Sequence, residues 1–360
     1  LNWGGRGMNR HINFRTQKEI KNYLSKNAPA HAYHSVAYYE NSGKKTMIEK
    51  IWNGADLIFD LDADHLPQMQ DVISRKITFA QLMDYIKEQT SRLVNDVLLG
   101  DFGLSEKDLL IVFSGGRGYH VHVRDKRILD LPSGARREIA DYLTTSGINE
   151  KLILNDEGYI NRKYGEKNKF YQEKYTLPSK EAPGWKGLVS NKIHYEIEKI
   201  LKLNEEEWKG WKELIRISEE NAKKIKNRRT VKDTFDNLKP NYKTRIVRKA
   251  LKETQVFPDE PVTGDIHRLI RLPGSLHGKT GLIVKTLSKK ELDAFDPYEM
   301  PIAFGTKPIK IRSTFQTREG NGEKKMGNNF RLEEGEITEL PEFAAIYFMA
   351  MKFATLCLET

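Results

Sequence analysis

Asp60 and Asp62 stand two residues apart at the end of a largely apolar run, Asp56-Leu-Ile-Phe-Asp-Leu-Asp62. If the run is a strand, both carboxylates leave on the same face, roughly 6.5–7 Å apart along it. Like charges held that way repel unless a cation lies between them. Mg²⁺ or Mn²⁺ suits the place, because hard cations take carboxylate oxygens. Asp64 would share the face if the strand continued. A polar strand end running into an acidic turn would look the same, so the pair takes its meaning from the rest of the chain.

Two basic blocks supply that meaning. The first is Ser114-Gly115-Gly116-Arg117-Gly118-Tyr119-His120. Its glycines let backbone approach a ligand and can turn N–H groups into an anion-holding concavity. Arg117 offers a planar fork matched to phosphate oxygens, and His120 lies close enough to donate to the same phosphate. The second block runs from His267 through Arg268, Arg271, Pro273-Gly274, His277 and Lys279 to Gly281. Arg268 and Arg271, three apart, would share a helical face if the segment were a helix. So many donors in so short a stretch suit a triphosphate. The plainer readings are a glycine hairpin and a basic surface turn, the latter credible for Arg268 and Lys279. Taken together, carboxylates for metals and cations for a triphosphate are the inventory of metal-dependent nucleotidyl transfer.

The elements that must position these residues can be read from pattern. Ile12–Phe14 reads as a short strand. Thr16-x-x-Glu19 then fits a capping box opening a helix through Leu24 that stops before Pro29. Asp56–Asp62 reads as a mostly buried strand. Thr78-x-x-Gln81 repeats the capping box before a helix carrying Leu82, Ile86, Leu93 and Val97. Leu109–Phe113 and Tyr119–Val123 read as strands joined by a tight hairpin, Ser133 as the cap of a helix through Leu143, and Gly281–Leu287 as a further strand. From about Ile193 to Ala250, Trp208, Trp211, Leu214, Ile215 and Ile225 are scattered among Glu and Lys, which suggests a helical subdomain. Its Lys223–Arg229 run could touch nucleic acid, although a solvated helix face explains it more simply. Arg318–Asn329 reads as a flexible loop. Strands that alternate with helices but also form hairpins imply an α/β (α+β) fold with a mixed sheet. The expected division is a core of 1–190 with 255–360 and a helical insertion at 191–254.

The chain has 360 residues, a formal charge of +10 and a pI near 9.3, a balance that suits a polyanionic partner. A single cysteine, Cys357, rules out an internal disulfide and any multi-cysteine metal site within this chain. No signal peptide is visible. The apolar stretch Phe343–Leu358, interrupted by Lys352, reads as a buried helix and not a membrane span. The chain opens at Leu1, so further sequence is expected upstream.

Three blocks resemble the small catalytic subunit of archaeal and eukaryotic replicative primases, with archaeal members closest. They are Gly54–His65, Phe113–His122 and Arg268–Gly281, in the family's order, and the similarity runs from Arg10-His11 to about Pro301. The resemblance implies that Asp60 and Asp62 bind two catalytic Mg²⁺ or Mn²⁺ ions. A third carboxylate aligns with Asp259, in Pro258-Asp-Glu-Pro261, with Asp265 as a nearby competitor. Ser114, Gly115, Gly116, Arg117 and His120 match the triphosphate loop. Arg271 and His277 match phosphate-contacting positions, and Arg10 looks like a weaker carry-over near the nucleotide. The resemblance further implies primer synthesis from NTPs or dNTPs on a single-stranded DNA template, a large partner subunit forming a heterodimer, and a cytoplasmic place at sites of replication. Family members usually carry a cysteine-rich zinc module between the first two blocks. Here Leu66–Ile111 has neither cysteine nor histidine, so no structural zinc is expected. Two rival readings stand beside this one. Phe59-Asp-Leu-Asp62 also resembles the start of haloacid dehalogenase-type phosphatases, with Asp60 as nucleophile, although Asp64 departs from that pattern. The other is a non-catalytic nucleic-acid-binding module.

Overall fold

The protein is described by a computed structural model covering residues 7–357, except 67–69, 72–73, 75–77, 165–167, 237, 317–329, 331 and most of 203–229. The Trp208–Ile225 positions and the Arg318–Asn329 loop singled out above lie outside the described residues, as does nearly all of Lys223–Arg229. The chain divides into two compact units, Leu1–Asp141 with Phe257–Thr360, and Tyr142–Val256.

In chain order, the first unit contributes α1 (Gln17–Asn27), β1 (Tyr33–Ser35), β2 (Ala37–Tyr39), β3 (Trp52–Ala55), β4 (Leu57–Asp62), α2 (Phe79–Arg92), β5 (Leu109–Phe113) and β6 (Gly118–Val123). Next come α3 (Ser133–Thr144) and, in the second unit, β7 (Asn155–Tyr164), β8 (Asn168–Thr176), α4 (Trp185–Ile200), α5 (Val231–Asp236) and α6 (Pro240–Thr254). The first unit resumes with α7 (Glu260–Gly264), β9 (Leu269–Arg271), β10 (Lys285–Leu287), α8 (Lys289–Ala294), β11 (Pro308–Ser313), β12 (Ile337–Pro341), α9 (Glu342–Ala350) and β13 (Ala354–Leu356). The class is α+β, and the pairings between described strands are antiparallel, as hairpin connections require.

The central sheet runs β10-β5-β6-β4. Its alternation separates core from chemistry. Leu57, Phe59 and Leu61 pair with Val123, Val121 and Tyr119 on one face, and Ile111 and Phe113 extend that face. All of these side chains are buried, and α2 covers them with Leu82 and Ile86. Phe295, just beyond α8, sets its ring 5.1 Å from Phe113. Each such side chain withdrawn from water contributes about 1.5–3 kcal/mol. The opposite face carries Asp56, Ile58, Asp60 and Asp62 beside His120 and His122, because Asp60 pairs with His120 and Ile58 with His122. A small apolar cluster of Val36, Ala37, Ala55, Ile58, Val262 and Ile270 covers the Ile58 end of this face. The Asp60 end lies outside this cluster.

Arg136 of α3 locks the foot of β4. Fully buried, it donates from Nη1 to the Asp56 carbonyl at 2.7 Å, from Nη2 to Ala55 at 2.8 Å and Leu129 at 3.2 Å, and from Nε to Leu131 at 2.8 Å.

Several sequence expectations need correction. Ile12–Phe14 forms no strand and stays in the coil before α1, where His11 adopts φ 62°. The Arg268–Arg271 segment is not helical: β9 pairs with β1, placing Tyr33 opposite Arg271. Strand structure in Gly281–Leu287 is confined to β10 and an isolated Leu276–Ile283 bridge. The helix expected over Phe343–Leu358 ends at Ala350, because Lys352 turns left-handed at φ 64° and the chain returns as β13 against β11. Both capping positions hold, with Thr16 accepting from the Glu19 amide and Thr78 forming a full capping box with Gln81.

The second unit packs the β7–β8 hairpin with α4, α5 and α6 around Trp185, Val189, Ile193, Phe235 and Val247. The Trp185 indole donates to the Tyr142 carbonyl at 2.9 Å.

Candidate active site

Asp60 and Asp62 leave β4 on one face, as the period-two pattern requires. Asp60 is mostly shielded, its side chain 18% exposed. Asp62 caps the turn Ala63–His65 by accepting from the Asp64 amide at 3.0 Å. Asp259 arrives from far along the chain as the N-cap of α7, its Oδ1 accepting from the Val262 amide at 3.2 Å. The Asp259 amide donates to the Asp60 carbonyl at 2.8 Å, which fixes the two residues side by side. Asp265 faces elsewhere: its Oδ1 accepts from the His267 amide at 2.9 Å, and its charge bears on Tyr39.

The electrostatics follow from this crowding. Burial first, then the negative charges of Asp62 and Asp259, push the Asp60 carboxyl up to about 7, against the opposing pull of Arg268 and Arg271. A divalent cation relieves that repulsion, so the donor set fits a hard metal. Among the described residues no group of three or more His, Cys, Asp or Glu side chains has the geometry of a closed metal site. Asp64 does not join the acidic face; β4 ends at Asp62, and Asp64 turns to pair with Arg117.

His120, opposite Asp60, brings Nε2 to 3.5 Å from Asp60 Oδ1. Its Nδ1 is buried without a hydrogen-bond partner. Burial, reinforced by His122, Arg271, His34 and Arg268, holds it down to about 3, so the ring is neutral at neutral pH. The loop leading into β6 is compact. Ser114 accepts at Oγ from the Gly116 amide at 3.3 Å, and its own amide donates to Gly118 at 3.0 Å. Gly115 adopts φ +76°, and a Cβ there would lie 2.7 Å from His277 Cβ. Only glycine meets both demands.

The second basic block closes over this loop. His277 lies against Gly116, and its Nδ1 is 3.1 Å from Thr280 Oγ1, which donates to the Gly115 carbonyl at 2.6 Å. Burial, then Arg271, His31, Lys279 and Arg117, hold His277 down to about 3. Arg271 stacks over the Tyr33 ring at 4.8 Å and donates to His31 Nδ1, which also accepts from the Gly278 amide at 3.1 Å. The structure therefore brings Ser114, Gly115, Gly116, Arg271 and His277 into one neighbourhood, with Asp60, Asp62, Asp259 and His120 adjoining through Arg271. Arg117 is tied to Asp64 and is 45% exposed. Arg10 is exposed in the coil before α1, with no hydrogen bond or ion pair to the site among the described residues.

The model of the DNA primase small subunit family matches residues 59–288, a span that begins just before Asp60 and ends just beyond Lys285. The chain belongs to the DNA primase small subunit family. The DNA primase small subunit PriS of Methanothrix thermoacetophila is 40% identical over 365 residues, covering 97% of this chain and 89% of that protein. The protein of the same name from Methanococcoides burtonii is 39% identical, covering 95% of this chain and 86% of its own length. That from Picrophilus torridus is 34% identical, with coverages of 96% and 87%. The chain is thus the catalytic small subunit of a DNA primase, a nucleotidyltransferase that synthesises primers. Membership in this family displaces the phosphatase and non-catalytic readings of Asp60-Leu-Asp62.

Sequence reasoning missed His31, Tyr33 and Thr280, which hold Arg271 and His277 in place. His31 and Tyr33 lie about 240 residues before their partners, and two ordinary aromatics at or just before the start of a three-residue strand carry no local signal. Thr280 could have been found: it lies inside the second block, three residues after His277.

Proposed function

We propose that Asp60, Asp62 and Asp259 hold the Mg²⁺ or Mn²⁺ ions of primer synthesis, with Ser114, Gly115, Gly116, Arg117, His120, Arg271 and His277 receiving the triphosphate. The observation that carries this reading is the crowding of three carboxylates from two distant segments, beside the neutral His120 and the stacked Arg271. When bound, the metals would activate the attacking 3′-hydroxyl and offset charge on the triphosphate and departing pyrophosphate. The chain's own residues supply the remainder. Asp62 and Asp259 are oriented by the turn and the helix that they cap. Arg271, stacked on Tyr33, presents a fork that stays charged to phosphate oxygens. His120, neutral through burial, has one ring N–H to donate without adding charge, while His277 is held against the loop through Thr280. The 115–116 backbone approaches closely because no Cβ intervenes. No protein nucleophile is needed.

The template is single-stranded DNA and the substrates are NTPs or dNTPs, consistent with the +10 charge. A primase large subunit completes the heterodimer, and the enzyme works at cytoplasmic replication sites. No helix among the described residues is long and apolar enough to cross a membrane. The 191–254 stretch supplies helices to the second compact unit, Tyr142–Val256. Arg10 lies toward the nucleotide.

De novo synthesis on poly-dT with labelled ATP or dATP, with and without the large subunit, tests the reading. Asp60→Ala and Asp62→Ala should each abolish product while leaving the melting curve folded. Synthesis retained by both variants would refute it.

A further inference from the structure

Arg268 stands half-buried immediately before β9. Its backbone is well fixed. The Arg268 carbonyl accepts from the Val36 amide at 3.0 Å, and the Val36 carbonyl accepts from the Asp56 amide at 3.0 Å. Two hydrogen bonds thus connect it to the foot of the strand that carries Asp60 and Asp62. Its side chain is not anchored in this way. The Nε is buried without a hydrogen-bond partner, and the guanidinium forms no ion pair among the described residues. Arg271, by contrast, is engaged by Tyr33 and His31. A buried cationic donor with no protein acceptor is costly, and a water, an ion or a ligand oxygen satisfies it.

The direction in which Arg268 acts is set by its neighbours. Its charge is felt by both Asp60 and His120, the pair that face each other across β4 and β6, whereas Arg271 bears on these two and also on His277. It therefore serves the carboxylate end of the site, whereas His277 lies against the Gly115–Gly116 loop. In two-metal nucleotidyl transfer the reacting phosphate sits at the carboxylates and the outer phosphates extend away from them.

We propose that Arg268 contacts a non-bridging oxygen of the phosphate under attack, leaving Arg271 and His277 to the rest of the triphosphate. The inference rests on the primer-synthesis reading above. In that reaction the 3′-hydroxyl oxygen bonds to the α-phosphorus, its proton leaves to water, and the bond to the pyrophosphate oxygen breaks. Arg268 exchanges no proton, since a guanidinium stays charged. It offsets charge gathering on the equatorial oxygens, where a preorganised donor acts most strongly.

The test is steady-state extension of an annealed primer with Mn²⁺ and varied nucleotide, using the full chain with its large subunit. Arg268→Met should lower kcat by about 10²–10³-fold with KM changed only a few-fold, and Arg268→Lys should recover part of the loss. Arg271→Met should instead raise KM. An Arg268→Met enzyme with wild-type kcat, or one altered only in KM, overturns the assignment. Melting curves identify a misfolded variant, in which case Arg268→Lys carries the measurement and wild-type kcat there overturns it equally. If wild type makes no product, or Asp60→Ala retains synthesis, the primer-synthesis reading itself has failed. Normal behaviour in those two with a normal Arg268→Met removes Arg268 alone.

Discussion

Replacing Arg136 with methionine should loosen the strand that carries Asp60 and Asp62 without touching either carboxylate. Arg136 donates to four backbone carbonyls, two of them at the junction of β3 and β4. Leu129 keeps a second partner, because its carbonyl also accepts from the Ala55 amide at 2.8 Å. That leaves three carbonyls dependent on the guanidinium. Each stranded buried acceptor costs about 1–3 kcal/mol, so the sum lies near 3–6 kcal/mol once non-additivity is respected. Methionine fills much of the volume, which keeps the cavity contribution small. A loss of about 3 kcal/mol corresponds to a factor of about 150 in a local opening equilibrium. Hydrogen exchange of the Leu57–Leu61 amides, measured by mass spectrometry, should accelerate by at least that factor. Primer synthesis should fall at temperatures where exchange in β4 becomes fast. Acceleration below about fivefold, equivalent to roughly 1 kcal/mol, would show that the carbonyls find other donors and that the clamp argument is wrong.

Three further outcomes are expected. Asp259→Ala should abolish synthesis under Mn²⁺ while Asp265→Ala retains most of it, since only Asp259 adjoins Asp60; the reverse pattern in a primer-extension gel reverses the assignment. Gly115→Ala should weaken nucleotide binding at least tenfold, because φ +76° and the His277 Cβ both resist a side chain; an unchanged KM would show that the loop adapts. Asp56 is buried, which raises its carboxyl, yet hydrogen bonds from His122 and Tyr38 and the charges of His122 and Arg124 bring it below the usual carboxylate value. A depressed acid stabilises the fold above its unfolded pKa near 3.9 and loses that contribution as pH falls through the folded value. Urea midpoints of wild type and Asp56→Asn should therefore differ at pH 7 and converge below about pH 4; a gap that stays constant with pH would contradict the linkage.

The sequence was most legible where the physics is local. The alternation of Leu57–Asp62 revealed both faces of β4, and the glycine block revealed the β5–β6 turn. The capping residues Thr16 and Thr78 lie where short-range hydrogen bonding puts them. It was least legible where a distant partner decides. Leu269–Arg271 has charges at helical spacing but is a strand because Tyr33–Ser35 lies beside it. Ile12–Phe14 has strand-forming residues, but no strand pairs with it among the described residues. The Phe343 stretch is apolar enough for a longer helix, but β13 completes β11, which offsets the left-handed turn at Lys352. The same holds for the site. Asp60 and Asp62 advertise themselves by spacing, whereas Asp259 needs the fold to bring it near, and His31 and Tyr33 become meaningful only through Arg271.

The hydrogen bond from the Asp259 amide to the Asp60 carbonyl also dates the enzyme's assembly. It closes a loop of about 200 residues, an entropic cost that only a largely ordered chain can meet. A ribosome must make everything through the Tyr142–Val256 unit before Asp259 exists to be placed. The intervening Tyr142–Val256 unit is continuous in sequence and is complete by then, so synthesis from the N-terminus delivers that compact unit before the site can close. A nascent chain arrested before residue 259 would carry the Asp60-Leu-Asp62 strand but not the finished acidic cluster. On the metal-site reading proposed above, competence for catalysis is therefore a late event in the life of each molecule.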